Sequence, residues 1–171
     1  MLLSIVGGKM NIIYLAAGNA NLGLPGVIYQ DLIVKRDLPG DMLFVDLEDY
    51  DVIIATPPCN YYSKARGSNK PSKYALDTKH LLPYIIYKLI LIGKPFIVEN
   101  VRSSKIDEII LDTPGIWIYQ YGRHTYWTNI PFNPKGINQV FDFNYGGKRL
   151  HSNTQGGENV NQVIKYWLST I

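Results

Sequence analysis

Asp51-Val52-Ile53-Ile54-Ala55-Thr56-Pro57-Pro58-Cys59-Asn60 decides the fold, because it holds a buried strand and its abrupt end. Residues 51–55 form a short apolar run rich in β-branched side chains, the pattern of a strand inside a parallel sheet. Pro57 and Pro58 fix φ at consecutive positions, stop the strand and rigidly aim the next residue. That residue is Cys59, the single cysteine of the chain.

Working outward, the same grammar repeats. Residues 11–16 (NIIYLA) are a second apolar run, ending at Ala17-Gly18. Residues 27–30, bounded by Pro25-Gly26 and Asp31, are a third, and residues 95–98 (PFIV) a fourth. Over residues 74–92, Leu76, Leu81, Leu82, Ile85, Ile86, Leu89 and Ile90 recur at helical spacing. Pro83 marks a kink or restart in that helix, and Gly93 ends it. Residues 116–121 and 124–128 read as an antiparallel pair turning through Gly122. Val160, Val163, Ile164, Trp167 and Leu168 predict a closing helix over 158–171. Strands alternating with helices predict an α/β domain with a mostly parallel sheet. In such sheets ligands bind outside the carboxyl ends of the strands. Gly18, Cys59 and Glu99 each fall just past an expected strand end.

The 171 residues make one domain the expectation, 1–171, with residues 1–10 as an N-terminal extension. Hydrophobic residues at 46% and charged residues at 18% exclude a disordered chain. One cysteine rules out an internal disulfide, argues against cysteine-based zinc and suits a reducing, cytoplasmic setting. No metal site is expected. No run approaches the roughly 18 apolar residues of a membrane span. The net charge of +3 is too small to name a partner, so its placement matters more.

A lone cysteine is most often a small buried hydrophobe. On a stiff turn at a strand's end, Cys59 reads instead as a nucleophile: a free thiol is only slightly ionised at neutral pH yet intrinsically very nucleophilic. No histidine stands beside it in sequence to make a Cys-His hydrolase. Phe96-Ile97-Val98-Glu99-Asn100-Val101 places a carboxyl group where the chain leaves the sheet. In a crevice such a group suits proton donation. After Cys59, residues 60–73 (NYYSKARGSNKPSK) carry Lys64, Arg66, Lys70 and Lys73 with no acidic residue. Tyr61 and Tyr62 add aromatic faces there, and Lys148 and Arg149 with His151 form a second basic patch. Charge runs are usually solvated faces. Next to the nucleophile, this one reads as a phosphate contact.

The pair PPCxxxS (Pro57, Pro58, Cys59, Ser63) and ENV (Glu99, Asn100, Val101) resembles the DNA cytosine-5 methyltransferases, in a short, phage-like form. Gly40-Asp41 and Tyr50-Asp51-Val52-Ile53 resemble the lead into the PPC motif. Tyr121-Gly122-Arg123-His124 resembles the later arginine motif, and Gly157-Glu158-Asn159-Val160 the closing motif that completes the cofactor pocket. The resemblance runs from about residue 11 to the C-terminus. It implies a Rossmann-like methyltransferase sheet, S-adenosylmethionine as cofactor and DNA, double- or single-stranded, as partner. It implies that Cys59 attacks C6 of cytosine, that Glu99 holds N3, and that Arg123 and Ser63 assist. The target base would be flipped out of its stack. Gly18, Asp31, Asp41, Pro57, Asn159 and Val160 would hold the cofactor, Asp31 at the ribose and Asp41 at the adenine edge. Tyr61, Lys64, Arg66, Lys70, Lys148 and Arg149 would meet nucleic acid.

Three departures from the family pattern stand out. The cofactor loop reads Ala16-Ala17-Gly18-Asn19-Ala20-Asn21 where the family has Phe-Ala-Gly-Xaa-Gly-Gly, and Gly18 to Asp31 is short for a crossover helix. The arginine motif lacks its second arginine. Only residues 130–156 are free to serve as a target-recognition domain. Two rival readings therefore stay open. One is a catalytically silent relative that binds DNA or a partner; the other is a thiol-addition enzyme acting on RNA or a free pyrimidine nucleotide. The short recognition region also leaves room for a protein partner that supplies the target.

Overall fold

Two four-residue apolar strands, β1 (Ile12–Leu15) and β4 (Val52–Ala55), are buried along their whole length and pair in parallel at the centre of one sheet. β2 (Val27–Asp31) flanks β1 on the far side from β4, and the two-residue β3 (Leu38–Pro39) lies beyond it at the edge. On the other side β5 (Phe96–Val101) pairs in parallel with β4. β7 (His124–Thr128) is antiparallel to both β5 and β6 (Trp117–Tyr121). The order is β3-β2-β1-β4-β5-β7-β6. Its first five places match the doubly wound 3-2-1-4-5 order, whose direction reverses between the first and fourth strands. This computed structural model describes residues 10–63, 70–103, 115–121, 123–132 and 153–171, with only the backbone over 153–159.

Each sheet face has its own cover. α1 (Lys73–Thr78) and α2 (Leu81–Ile92) come after β4, and α2 buries Leu82, Ile85, Ile86 and Leu89 against Ile13, Leu15, Ile53, Ala55, Phe96 and Val98. The helical period read over 74–92 is thus split: the break lies at Lys79-His80, and Pro83 sits in the first turn of α2, where a missing N–H costs little. Gly93 ends α2 at φ +73°, donating its N–H to the Leu89 carbonyl at 3.1 Å. α3 (Asn153–Leu168) covers the opposite face with Val160, Val163, Ile164, Trp167 and Leu168, against Ile12, Tyr14, Val27, Val52 and Ile54.

No helix stands between β1 and β2, in keeping with the short spacing there. α3 and the buried Leu22 occupy that face instead. Two boundaries differ from the sequence reading. α3 starts five residues before 158, because its long apolar stripe carries Gly156-Gly157 inside a helix despite roughly 1 kcal/mol per glycine. β5 runs on through Val101, because Glu99 and Asn100 pair with Tyr126 and Thr125 of β7. Glu99 is therefore a strand residue and not the residue after a strand.

Candidate active site

The reversal point of the sheet opens into a cavity of about 500 Å³. That volume lies within the usual range for small-molecule sites. Cys59 and Glu99 line it together, Cys59 from the turn after β4 and Glu99 from within β5. The proline pair explains the placement of Cys59. Thr56 N donates to the Leu15 carbonyl at 3.1 Å, and Thr56 Oγ1 to the Ala16 carbonyl at 3.0 Å, so the strand end is tied to β1. Beyond the prolines the Cys59 carbonyl accepts from Tyr62 N at 2.9 Å and Ser63 N at 2.8 Å, closing a turn on a half-buried thiol. Asn100, 1% exposed, donates Nδ2 to the Pro57 carbonyl at 2.9 Å. The ENV strand thereby braces the PPC turn.

Glu99 is buried among aromatic side chains. Its Oε1 lies 2.5 Å from His124 Nδ1. Burial pushes the Tyr14 hydroxyl above the ordinary tyrosine range; Thr56 opposes this and the Glu99 charge adds to it. Burial pushes Tyr126 up as well, again reinforced by Glu99. Both phenols therefore stay neutral beside the carboxylate, and Tyr126 Oη has no hydrogen-bond partner among the described residues.

The loop after β1 is held in shape by side chains of Gln30, Asp31 and Arg36. Ala16 sits at φ +50°, unusual for a residue with a Cβ, and Gly18 at φ +52°. Gln30, fully buried, accepts from Ala16 N at 3.0 Å through Oε1 and donates Nε2 to the Gly40 carbonyl. Arg36 donates to the Gly18 carbonyl at 2.6 Å and to the Ala20 carbonyl. Asp31 accepts Gly18 N at 2.7 Å on Oδ2, and Ile33 N and Val34 N at 2.8 and 2.9 Å on Oδ1. Partial burial raises its pKa, but those backbone donors and Arg36 outweigh burial and hold the carboxyl below the usual aspartate value. Asp41 caps the 3₁₀ turn Met42–Phe44 through Leu43 N at 2.9 Å.

Of the expected cofactor residues, Asp31, Asp41, Pro57 and Val160 line the cavity. Gly18 stands one hydrogen bond away from it, on Asp31. Asn159 lies on α3 with its side chain outside the described residues; its neighbour Asn161 lines the cavity and donates to the Asn21 carbonyl at 3.2 Å. Of the residues expected to be catalytic, Arg123 is exposed in the turn before β7, its carbonyl accepting from Arg102 N at 2.7 Å, and neither it nor Ser63 lines the cavity.

Lys70 is exposed, while Lys64, Arg66, Lys148 and Arg149 lie outside the described residues. Tyr62 corrects the aromatic-face expectation: it is 5% exposed in the α2-side core, with its hydroxyl on the Lys79 carbonyl at 2.6 Å. Tyr61 packs edge-on against it at 5.2 Å and is half-buried. An aromatic just after the turn reads alike for a core and for a stacking face, so the one-dimensional pattern does not discriminate. His124, Asn100, Gln30 and Arg36 carry site contacts that the sequence reading assigns to no role. The ENV motif points at Asn100; only the folded register points at His124.

Among curated proteins the chain is similar to a probable DNA (cytosine-5)-methyltransferase of Frog virus 3 (isolate Goorha), 34% identical over 91 residues. That stretch takes in 46% of this chain and 42% of the viral protein, so the chain spans less than half the length of its relative. No family model matches the chain. The α/β sheet, mostly parallel, is compatible with a Rossmann-like methyltransferase fold. Among the described residues no helix is long and apolar enough to cross a membrane.

Proposed function

We propose that this chain is a DNA cytosine-5 methyltransferase that works through a covalent Cys59 adduct, with S-adenosylmethionine as methyl donor. The observation that carries the reading is one cavity, at the reversal point of the sheet, walled by both Cys59 and Glu99. The partial likeness to the viral protein supports the same class.

The residue types suit the chemistry. The Cys59 thiolate adds to C6 of cytosine, forming an S–C bond and pushing electron density onto the ring. Glu99, at N3, supplies the proton that neutralises that density, leaving C5 nucleophilic. Once C5 carries the methyl group, loss of the C5 proton to solvent water, cleavage of the S–C6 bond and return of the N3 proton to Glu99 release the methylated base and restore the thiolate. Asn100 keeps the nucleophile turn fixed while this happens.

The donor's place is tested by the cavity's polar groups. A carboxylate offers about four lone-pair sites. Asp31 gives three to backbone N–H groups, which leaves one for a ribose hydroxyl. Asp41 caps its turn through Oδ1 and lines the cavity beside Met42. Leu32, Ile33 and Val160 supply apolar surface in the same cavity. These residues fit an adenosine-bearing cofactor, which when bound supplies an electrophilic methyl group. Lys70, with the further basic residues of the 60–73 segment, is assigned to DNA phosphates.

A reading as a silent binding protein draws on the missing helix between β1 and β2. The Gln30, Asp31 and Arg36 contacts count against it, since they hold that loop in shape. Trapping separates the two. The protein is incubated with S-adenosylmethionine and DNA containing 5-fluorocytosine, then denatured, with Cys59→Ala as control. The expected result is a denaturation-resistant adduct that needs both cofactor and Cys59. No adduct, together with no cofactor-induced rise in melting temperature, would favour the silent binder.

A further inference from the structure

Glu99 and His124 form a diagonal cross-strand pair. On β5 and β7, Glu99 faces Tyr126 and Val101 faces His124, so all four side chains share one face of the sheet. Diagonal neighbours lie within reach of long side chains. The imidazole uses that reach: its Nδ1 is 2.5 Å from Glu99 Oε1, with the two side chains only 16% and 11% exposed. Both residues line the cavity.

We infer that His124 is the positioning residue that holds and resupplies the proton Glu99 delivers to the substrate ring. The inference rests on the methyl-transfer reading. An arginine at this place would hold Glu99 as a permanent ion pair and would have no proton to give at working pH. An imidazole changes charge between about pH 5 and 8 and passes a proton along its hydrogen bond. The pair therefore carries one mobile proton, on Nδ1 or on Oε1.

As Cys59 adds to C6, the pair's one proton passes from His124 Nδ1 to Glu99 and on to N3, leaving a neutral imidazole beside the carboxylate. When the S–C6 bond breaks, the proton returns from N3 to Glu99 and then to His124, so the cycle is proton-neutral at the pair. Groups around the pair do not compete for that proton. Tyr14 from β1 and Tyr126 from β7 are held neutral by burial. Tyr121, opposite His124 on β6, is also pushed up by burial. Arg102 follows β5 and Arg123 lies in the turn before β7, neither lining the cavity, while Cys59, the nucleophile, lines it.

The test joins titration to rate. In the wild type, proton NMR should place the His124 imidazole at least one pH unit, about tenfold in proton affinity, above its value in Glu99→Gln. The rate of methyl transfer should be level at low pH and fall with rising pH from a break at that same value. A Cys59 limb has the opposite slope, since the thiolate forms as pH rises. In His124→Arg the break should disappear from pH 6–9. A His124 that titrates alike in wild type and Glu99→Gln overturns the inference even if the arginine variant fails to fold. So does a His124→Arg enzyme that keeps the wild-type break. Those outcomes leave the methyl-transfer reading intact, whereas a wild type with no transfer at any pH removes both.

Discussion

Asn100 Nδ2 donates to the Pro57 carbonyl at 2.9 Å, so the strand that carries Glu99 also fixes the turn that carries Cys59. Cys59 and Glu99 thus share one rigid link through neighbouring backbone.

That link is testable by Asn100→Ala. The substitution leaves the Pro57 carbonyl without its donor in a buried setting, at a cost of roughly 1–3 kcal/mol. Denaturant unfolding should show that loss. Cys59 trapping should slow about tenfold or more, the effect of losing roughly 1.4 kcal/mol of positioning. Asn100→Asp should be worse, since it sets a carboxylate oxygen against the carbonyl. Wild-type trapping by either variant would show that the link is ornamental to the site.

Asp31 ties the β1 loop to β2, and its contribution has a sign in pH. Its folded pKa lies below the ordinary value because three backbone N–H groups and Arg36 outweigh burial. Its stabilisation is therefore present above the unfolded pKa, about 3.9, and is lost as pH falls through the folded value. Asp31→Asn should melt below the wild type at pH 7, by about 1 kcal/mol given its partial exposure. The gap should close under acid conditions. A gap that stays constant from pH 7 to pH 3 would sink this account.

How much of the molecule is legible in one dimension depends on where the signals lie. β4 and its proline stop are plain, because a quartet buried on both faces leaves no choice of residue type. The same holds for β1 and for the α2 stripe. β3 is not legible: two residues at a sheet edge carry no period, and only Gln30 and Asp31 backbone pairing defines them. The motifs that hold Cys59 and Glu99 are local, so one dimension shows them. The meeting of His124 with Glu99 is not visible there, since it depends on the β5–β7 register, which no local pattern encodes. Tyr62 misleads because a core aromatic and an exposed stacking aromatic look the same in one dimension.

Two lysines clamp the segment that carries Asp41. Lys88 Nζ donates to the Leu43 and Val45 carbonyls at 2.9 and 3.1 Å, and Lys94 Nζ donates to Leu47 at 3.0 Å and to Glu48. Burial lowers the Lys88 pKa, and Asp46 and Asp41 oppose that shift. Lys88→Met should cost about 1–2 kcal/mol, the worth of charge-assisted hydrogen bonds in a partly exposed site. Because both lysines hold one loop, Lys88→Met with Lys94→Met should cost less than the two single losses added together. Strict additivity by denaturant titration would show two independent clamps.

Gln30 is the last control point, and the most demanding. It is fully buried, accepts from Ala16 N at 3.0 Å and donates to the Gly40 carbonyl. One side chain therefore holds two cavity edges, the strained Ala16 after β1 and the glycine that precedes Asp41. Gln30→Leu keeps the volume but orphans one donor and one acceptor, each worth roughly 1–3 kcal/mol when buried. Gln30→Glu keeps the acceptor for Ala16 and sets a second carboxylate oxygen on the Gly40 carbonyl, so its damage should fall on the Asp41 side. Calorimetry should then show S-adenosylmethionine binding weakened by both, and the binding of Gln30→Glu should improve as acid protonates the new carboxyl into a donor. If Gln30→Glu binds no better under acid conditions than at neutral pH, the bridge to Gly40 is not what shapes the pocket.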